Sequence, residues 1–403
     1  MIIFHSVKKP WPSIARLGLI VLLLTLSGCT STDVRDQPTA RAPEQRSSSE
    51  SSNPAVNPQY EGRVPLAPFP VGLEWLNVVE PLTREDLRGR ILILDFWTYG
   101  CVNCIHMIPV LAGIEETYGD LVTVVGVHSA KFNNERRSEN IRQTLDRYDI
   151  EHPVINDASF RAWRTYGARA WPTFIFVDPR GNVIGSQAGE IAEELLHAYI
   201  GQLVAYWETR YPEVLRRGRD AIAAVKTGQS AAVNRLLHFP EGVEIDVDAA
   251  LLYVADTGNN RIIAVDLSNR GVFEVIGSGE PALHDGSFTE VAFNKPRGIA
   301  LHEGVLYVAD SGNYAIRAVD LSKRVVRTVA GTGEQGRGAP PVGTRFPDPT
   351  TYALSTPWDV AAGEDGILHV TVAGIHQIWS LDLEGGPIGP VVGNGREAAQ
   401  NGV

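Results

Sequence analysis

A segment of sixteen residues recurs in the second half of the chain and constrains its fold more than any other feature. LYVADTGNNRIIAVDL at 252–267 returns as LYVADSGNYAIRAVDL at 306–321 and, more loosely, as LHVTVAGIHQIWSLDL at 368–383. The first two copies place an apolar run on either side of an Asp-x-Gly-Asn turn, as paired strands do. Recurrence of such a unit along the chain predicts stacked four-stranded sheets, and therefore a β-propeller.

Other short motifs recur in phase with these copies. VIGSGE, VAGTGE and VVGNGR begin at 275, 329 and 391, and FPEGV, KPRGI and TPWDV begin at 239, 295 and 356. Because several motifs keep the same phase, the segment 229–403 resembles NHL repeats, which form propeller blades. We count about three blades, whereas a closed propeller has about four to eight. We therefore expect a truncated propeller, or a ring completed by a second chain, and favour truncation.

The repeat turns carry acids and amides, which are side chains that also serve as metal ligands in proteins. Asp and Asn side chains commonly hydrogen-bond to their own backbone in turns. We therefore interpret four of them as turn-forming residues: Asp256, Asn259, Asp310 and Asn313.

The N-terminal 28 residues have the features of an export signal. Three basic residues precede the apolar run 17–26, which is too short to span a bilayer as a helix. The following LSGC resembles the lipobox of bacterial lipoproteins, which implies lipidation of Cys29; an ordinary signal with a chance cysteine is the alternative. Thr30 then favours the outer over the inner membrane. We expect a cell-envelope protein with a lipid anchor.

Composition limits the remaining possibilities. The segment 29–64 is rich in Ser, Pro and charge, so it is predicted to be a flexible linker. The net charge of −11 argues against nucleic acid as a partner.

The segment 65–190 alternates strand and helix patterns. A buried strand at 91–97 precedes a helix at 104–119, a strand at 121–128 and a polar helix at 133–150, and a hairpin follows at 173–189. This order indicates an α/β domain with a mixed sheet. The segment 191–228 is predicted to be a helical connector to the propeller.

Cys101 and Cys104 form a Cys-x-x-Cys pair directly after the first strand of this domain. A structural zinc site requires four ligands, and no second Cys pair exists. A structural disulfide would close a very small loop and add little stability. A redox pair is favoured, because a thiol at a helix N-terminus is readily ionised. No cofactor is predicted.

The sequence DFWTYGCVNC resembles thioredoxins, and its Trp-Thr-Tyr-x-Cys-x-Asn-Cys form is similar to the TlpA/DipZ-type branch. The resemblance implies that Cys101 is the nucleophile, that Cys104 resolves the mixed disulfide and that Asp95 handles the second proton. It implies that Pro172, in WPTFIFVDPRG, is a cis-proline that shapes the substrate groove. Three aromatic residues are assigned to this groove more weakly: Trp97, Tyr99 and Trp171. Core packing explains Trp97 equally well. His106 and His128 are interpreted as structural or exposed residues.

Together these features predict a multidomain protein in which an α/β thioredoxin-like domain precedes an all-β propeller. The expected function is membrane-anchored, extracytoplasmic thiol–disulfide exchange with a protein thiol or disulfide, and the propeller would dock a protein partner. The electron donor or acceptor and the direction of the reaction are not encoded. The alternative is an interaction scaffold in which the propeller carries the function. A peroxidase reaction is disfavoured, because the Pro-x-x-x-Thr-x-x-Cys pattern is absent.

Overall fold

The computed structural model describes residues 57, 59–215 and 237–396. The predicted signal 1–28, Cys29, most of the predicted linker 29–64 and part of the predicted connector lie outside these residues. None of the helices in the described ranges combines the length and apolarity that crossing a bilayer requires.

The first part of the described chain is a seven-stranded mixed sheet with helices on both faces. Its strands in chain order are β1 (Val64–Pro65), β2 (Glu74–Leu76), β3 (Ile91–Trp97), β4 (Val122–His128), β5 (Val154–Asn156), β6 (Thr173–Val177) and β7 (Asn182–Ala188). Its helices are α1 (Val102–Tyr118), α2 (Ser138–Arg147), α3 (Arg161–Tyr166) and α4 (Glu193–Arg210). The strand order is β1-β7-β6-β3-β4-β5-β2, with β3, β4 and β5 parallel.

Strand β3 is apolar throughout because both of its faces are covered. Ile91 and Ile93 pack in one cluster with residues of α1 and α4, whereas Leu92, Leu94 and Phe96 pack in a second cluster that includes Ala162 of α3. A strand buried on both faces has a continuous apolar sequence rather than an alternating one. This central position places the end of β3, and the Cys-x-x-Cys motif after it, in the middle of the sheet edge.

The α/β unit extends beyond the predicted bounds 65–190 on both sides. Helix α4 lies in the segment that we assigned to a connector, and its Leu196, Ile200 and Trp207 are buried against the sheet. On the N-terminal side, Trp207 Nε1 donates a hydrogen bond to the carbonyl of Tyr60 (2.9 Å). The connector and linker segments therefore both contribute residues to the core of this unit.

The residues 237–396 form three consecutive antiparallel sheets, as the repeats predict. The first blade contains β8 (Gly242–Asp246), β9 (Leu251–Asp256), β10 (Arg261–Asp266) and β11 (Val272–Ile276). The second contains β12 (Gly286–Ser287), β13 (Pro296–His302), β14 (Val305–Asp310), β15 (Ala315–Asp320) and β16 (Val325–Ala330). The third contains β17 (Pro357–Ala362), β18 (Ile367–Val372), β19 (Gln377–Asp382) and β20 (Ile388–Val392). The multidomain fold expected from the sequence is thereby confirmed.

The acids of the repeat turns accept hydrogen bonds from protein donors. Asp310 is fully buried, and its carboxylate accepts bonds from Asn294 N (2.8 Å), Asn313 Nδ2 (2.8 Å) and Arg317 Nη1 (2.7 Å). In the first blade, Asp256 similarly accepts a bond from Asn259 Nδ2 (2.8 Å). These contacts close the turn between β9 and β10 in the first blade and the turn between β14 and β15 in the second.

The hydroxyl groups next to these acids join neighbouring blades. Thr257 Oγ1 donates to the carbonyl of Pro296 in the second blade (2.7 Å), and Ser311 Oγ donates to Pro357 O in the third. The third blade has Val372 and Trp379 at the positions of Asp310 and Arg317, so its turn region is apolar where the second blade is ionic.

Removal of Arg317 tests the buried ion pair. Arg317→Met leaves the Asp310 carboxylate buried without its cation, so we expect a loss of about 3–5 kcal/mol in the free energy of unfolding. The control Lys323→Met removes the exposed ion pair with Asp320 and is expected to lose about 1 kcal/mol or less. Urea denaturation provides the measurement. The double variant Asp310→Val/Arg317→Met removes both charges and introduces the valine that the third blade has at the position of Asp310. It should recover part of the lost free energy of unfolding. Equal losses for Arg317→Met and Lys323→Met would contradict this account.

Candidate redox site

The chain passes from β3 to α1 in four residues, and Cys101 is the N-cap residue of the helix. Its backbone is extended (φ −120°, ψ 109°), and its carbonyl accepts hydrogen bonds from the N–H groups of Cys104 and Ile105 (both 3.1 Å). These bonds form the first turn of α1. The Cys101 thiol therefore lies at the positive end of the helix dipole, where a thiolate is stabilised.

Both cysteines are free thiols and both are buried, with Cys101 4% and Cys104 1% exposed. The hydrogen bond from the Cys104 thiol lowers the pKa of Cys101 to about 7, with help from nearby backbone N–H groups and the charge of Lys131, although burial opposes the shift. Burial raises the pKa of Cys104 well above its ordinary value, and its hydrogen bond with Cys101 adds to this. The first thiol is thus the one that ionises near neutral pH.

Asp95 lies in the middle of β3, behind the cysteine pair. Its side chain is buried, and Oδ1 has no hydrogen-bond partner within the described residues. Burial raises the pKa of Asp95 to about 7, which the charge of His152 partly opposes. The carboxylate also contributes to the raised pKa of Cys104. A buried acid with this pKa can hold or release a proton near neutral pH.

Pro172 follows a cis peptide bond from Trp171, as the resemblance implied. The Trp171 carbonyl lies 3.8 Å from Cys101 Sγ, so this backbone edge borders the thiol. The Trp171 ring packs against Trp163 (4.6 Å between centroids), and its Nε1 donates to Ser129 O (3.0 Å).

The other two predicted groove residues differ from each other in burial. Tyr99 is half-buried and lines the cleft beside Cys101. Trp97 is only 1% exposed and lies in the core rather than on the groove surface, with its ring at 87° to that of His128. The position of Trp97 in β3 explains this, because every residue of that strand is buried.

His128 and His106 have different structural roles. His128 is fully buried and stacks with Tyr99 (5.3 Å between centroids), and burial lowers its pKa to about 3, so it is a neutral ring. His106 lies in α1 two residues after Cys104. Its Nδ1 is 2.8 Å from Glu190 Oε1, and its Nε2 is 2.5 Å from Oγ1 of Thr356, immediately before β17 of the third blade. His106 thus joins the active-site helix to the propeller.

Sequence reasoning missed Glu135, which holds together two loops at the site. Its Oε2 accepts hydrogen bonds from Thr98 Oγ1 (2.6 Å), Lys131 N (2.6 Å) and Phe132 N (3.0 Å). A Cβ atom on Gly100 would lie 2.2 Å from Glu135 Oε1, so a larger residue there would force the Glu135 carboxylate to move. Glu135 fell in a stretch that we interpreted as part of a polar helix, and nothing in the sequence distinguished it from the exposed acids there.

A second contact with the propeller lies at the end of α2. Arg147 forms an ion pair with Glu241 of the first blade, and Glu241 also pairs with Arg297 of the second. Arg297 Nη2 in turn donates to the hydroxyl of Tyr148 (3.3 Å). Glu241 and Arg297 occupy the same position in the repeated FPEGV and KPRGI motifs, immediately before β8 and near the start of β13, so equivalent positions of successive blades face the α/β unit.

The third member of this set, Trp358 in TPWDV, lies across a cleft from the cysteines. The cleft has a volume of about 480 Å³ and is lined on one side by Tyr99, Gly100, Cys101, Val102, Asn103, Ile105, Lys131 and Phe132, and on the other by Trp358, Thr371, Ala373 and His376. Two different parts of the chain therefore enclose the reactive thiol. Within the described ranges, no cluster of three or more His, Cys, Asp or Glu side chains has a metal-binding arrangement.

Comparison with known proteins agrees with this architecture. Residues 89–183 match a family model described as thioredoxin-like. NHL repeat-containing protein 2 from Bos taurus is 41% identical over 328 residues, which cover 79% of this chain and 44% of that protein. Protein DipZ from Mycobacterium bovis is 30% identical over 133 residues, which cover 32% of this chain and 19% of that protein. The thiol-disulfide oxidoreductase YkuV from Bacillus subtilis is 25% identical over 135 residues, which cover 33% of this chain and 90% of YkuV.

The chain therefore contains a thioredoxin-like domain followed by an NHL-type β-propeller segment. It spans less than half the length of the NHL-repeat relative that it matches. A general redox character of the first domain is consistent with these matches and with the Cys101–Cys104 pair.

The buried carboxyl group of Asp95 predicts a pH-dependent stability. Its folded pKa of about 7 exceeds the ordinary value of 3.8, so the wild-type fold loses stability as pH rises through this interval. Asp95→Asn is therefore expected to be more stable than wild type at pH 8 by roughly 2–4 kcal/mol, and to show no such gain at pH 3.5. Urea denaturation at the two pH values measures this, with the exposed Asp146→Asn as control. A gain that is the same at both pH values would contradict a raised pKa.

Proposed function

We propose that this protein is a thiol–disulfide oxidoreductase that exchanges disulfides with a protein thiol or disulfide. The observation that carries the proposal is the position of Cys101 at the N-terminus of α1, hydrogen-bonded by the more basic thiol of Cys104. In this arrangement Cys101 ionises and acts as the nucleophile, whereas the thiol of Cys104 stays protonated. The similarity to YkuV, whose name states this activity, supports the same chemistry.

In the reducing direction, the Cys101 thiolate attacks one sulfur of the substrate disulfide. A Cys101–substrate S–S bond forms, the substrate S–S bond breaks, and the leaving thiolate takes up a proton. Cys104 then loses its proton and attacks Cys101 Sγ, which releases the second substrate thiol and leaves the Cys101–Cys104 disulfide. Two electrons pass to the substrate, and a dithiol partner must return them; the oxidising direction is the reverse.

Asp95 is suited to accept the proton of Cys104 in the second step. Cys104 is enclosed by the sheet and α1, so bulk water does not reach its sulfur directly, and the Asp95 carboxylate already influences its pKa. A group with a pKa of about 7 transfers protons efficiently at neutral pH. The side chain acts through the resolving thiol and does not contact the substrate.

The propeller contributes to this function as the second wall of the cleft. The third blade lies opposite Cys101, and both His106 and the Glu241–Arg297 pair connect the propeller to the α/β unit. We infer that a partner protein docks on this propeller face while its sulfur enters the cleft.

We further propose that the protein is anchored by a lipid at Cys29 in the cell envelope, on the outer membrane facing the periplasm. The apolar run 17–26 and the LSGC that follows support this placement. An oxidising compartment suits a protein whose work is disulfide exchange.

Cysteine variants test the exchange reaction. Cys101→Ser is expected to reduce the rate of reduction of a peptide disulfide by at least about a hundredfold, because the nucleophile is lost. Cys104→Ser should accumulate a mixed disulfide on Cys101, detectable by mass spectrometry. Alkylation of Cys101 with iodoacetamide should rise with pH around a midpoint of about 7. Cys29→Ser is the matched cysteine control and should react like wild type; a Cys101→Ser variant that retains the full rate would refute the proposal.

Metabolic labelling with a fatty-acid analogue tests the anchor. The full chain expressed in a diderm bacterium should incorporate the label and sediment with outer membranes, and Cys29→Ser should lose both properties. The double variant Cys101→Ser/Cys104→Ser serves as control and should keep the label. An unlabelled wild-type chain in the soluble periplasmic fraction would contradict lipidation.

A further inference from the structure

The third blade covers the cleft at Cys101, so this thiol does not lie on an open surface. Trp358 and His376 of the third blade face the loop that carries Cys101, and the thiol residue is only 4% exposed. A rigid, folded surface that presents its own disulfide would have to displace this wall to bring a sulfur into line with Cys101 Sγ. A single extended segment can enter between the two walls, and the backbone at Trp171, whose carbonyl accepts from the Cys101 thiol, borders its path.

The wall opposite Cys101 is held in place by contacts on both sides. The guanidinium group of Arg297 lies 3.7 Å from the centroid of the Trp358 ring, and Arg297 is itself buried and paired with Glu241. On the other side, His106 contacts Thr356, two residues before Trp358. Because these contacts come from the α/β unit and from two other blades, Trp358 belongs to a preformed wall.

The cleft has a charge opposite in sign to that of the whole protein. The chain carries a net charge of −11, yet no carboxylate lines the described cleft, and Lys131 is the one lining residue with a permanent charge. Burial and the charge of Lys131 lower the pKa of His376, so this ring is neutral near pH 7 and adds no positive charge. The nearby Glu135 lies behind the wall, where three donors occupy its Oε2. The fixed positive charge of Lys131 favours anionic ligands in this cleft.

The remaining lining residues are largely apolar. Tyr99, Phe132 and Trp358 provide aromatic surfaces, and the Lys131 ammonium lies 5.7 Å from the centroid of the Phe132 ring. The volume of about 480 Å³ is that of a site for a few residues rather than for a folded surface.

We propose that the third blade makes this site selective for a cysteine in an extended, acidic segment, with Lys131 and Trp358 as the specificity-determining residues. Lys131 attracts a carboxylate next to the substrate cysteine, and Trp358 excludes disulfides that lie flat on a folded surface. This inference rests on the exchange reaction at Cys101 proposed above, and it names the class of substrate for that reaction.

The charge preference is tested with two disulfide-linked peptides that differ only in the residues flanking the cysteine, Asp in one and Lys in the other. For wild type we expect kcat/KM to favour the Asp peptide by about three- to tenfold at low salt, and the preference to shrink as salt screens the charge. Lys131→Met should remove most of the preference. Lys323→Met, an exposed lysine on the second blade, is the matched control and should keep it.

The steric part is tested with Trp358→Ala. The measured quantity is the rate of reduction of a disulfide on a folded protein divided by the rate for the Asp peptide. We expect this ratio to be several-fold higher for the variant than for wild type. Phe273→Ala, which removes an exposed aromatic ring from the first blade, should leave this ratio unchanged. The alkylation midpoint of Cys101 in each variant shows whether the thiol itself has been altered.

The outcomes separate the two proposals. If wild type reduces neither peptide, the exchange reaction proposed for Cys101 fails. If it reduces both peptides equally, and Lys131→Met and Trp358→Ala change neither ratio, the exchange reaction stands and the selectivity is refuted. A preference for the Lys peptide, or a wild-type enzyme that prefers the folded disulfide, also overturns the selectivity.

Discussion

The chemistry of this protein depends on the start of α1 being held in one place. The Cys101 carbonyl accepts the first hydrogen bonds of the helix, and this positions the Cys101 thiol to receive the hydrogen bond of Cys104. Two anchors keep that geometry: Glu135, which joins the loop before the motif to the loop after β4, and His106, which joins the helix to the third blade. A shift of the helix start would alter the thiol pKa and the width of the cleft together.

Three buried acids differ in the partners of their carboxyl groups, and these partners match different roles. Asp310 is balanced by Arg317 and the turn amide of Asn313, and this ionic cluster is structural. Glu135 has its Oε2 filled by backbone and hydroxyl donors, which connect two loops. Asp95 is left with one oxygen unpartnered and a pKa raised to about 7. A buried polar group without a partner reduces stability, and its place beside Cys104 is consistent with the proton-transfer role proposed above.

Much of the architecture was predictable because it depends on local patterns. The strand at 91–97 matches β3, and the helix predicted from 104 begins two residues earlier, at Val102. The polar helix predicted at 133–150 is instead a 3-10 turn followed by α2, because Arg137 between them has an extended backbone (φ −85°, ψ 121°). The role of Glu135 was not predictable, since one of its donors, Thr98, lies in a separate loop 37 positions away.

The sequence by itself determined the Cys-x-x-Cys pair, the α/β pattern around it and the repeated blades, because each depends on residues close together in the chain. Only the tertiary structure decided that Trp97 is buried in the core, that α4 packs on the sheet and that the third blade faces Cys101. These features arise from contacts between segments far apart in sequence; His106 and Thr356, for example, are separated by 250 positions. Local periodicity contains no information on such pairs, because their contact is set by how whole sheets pack.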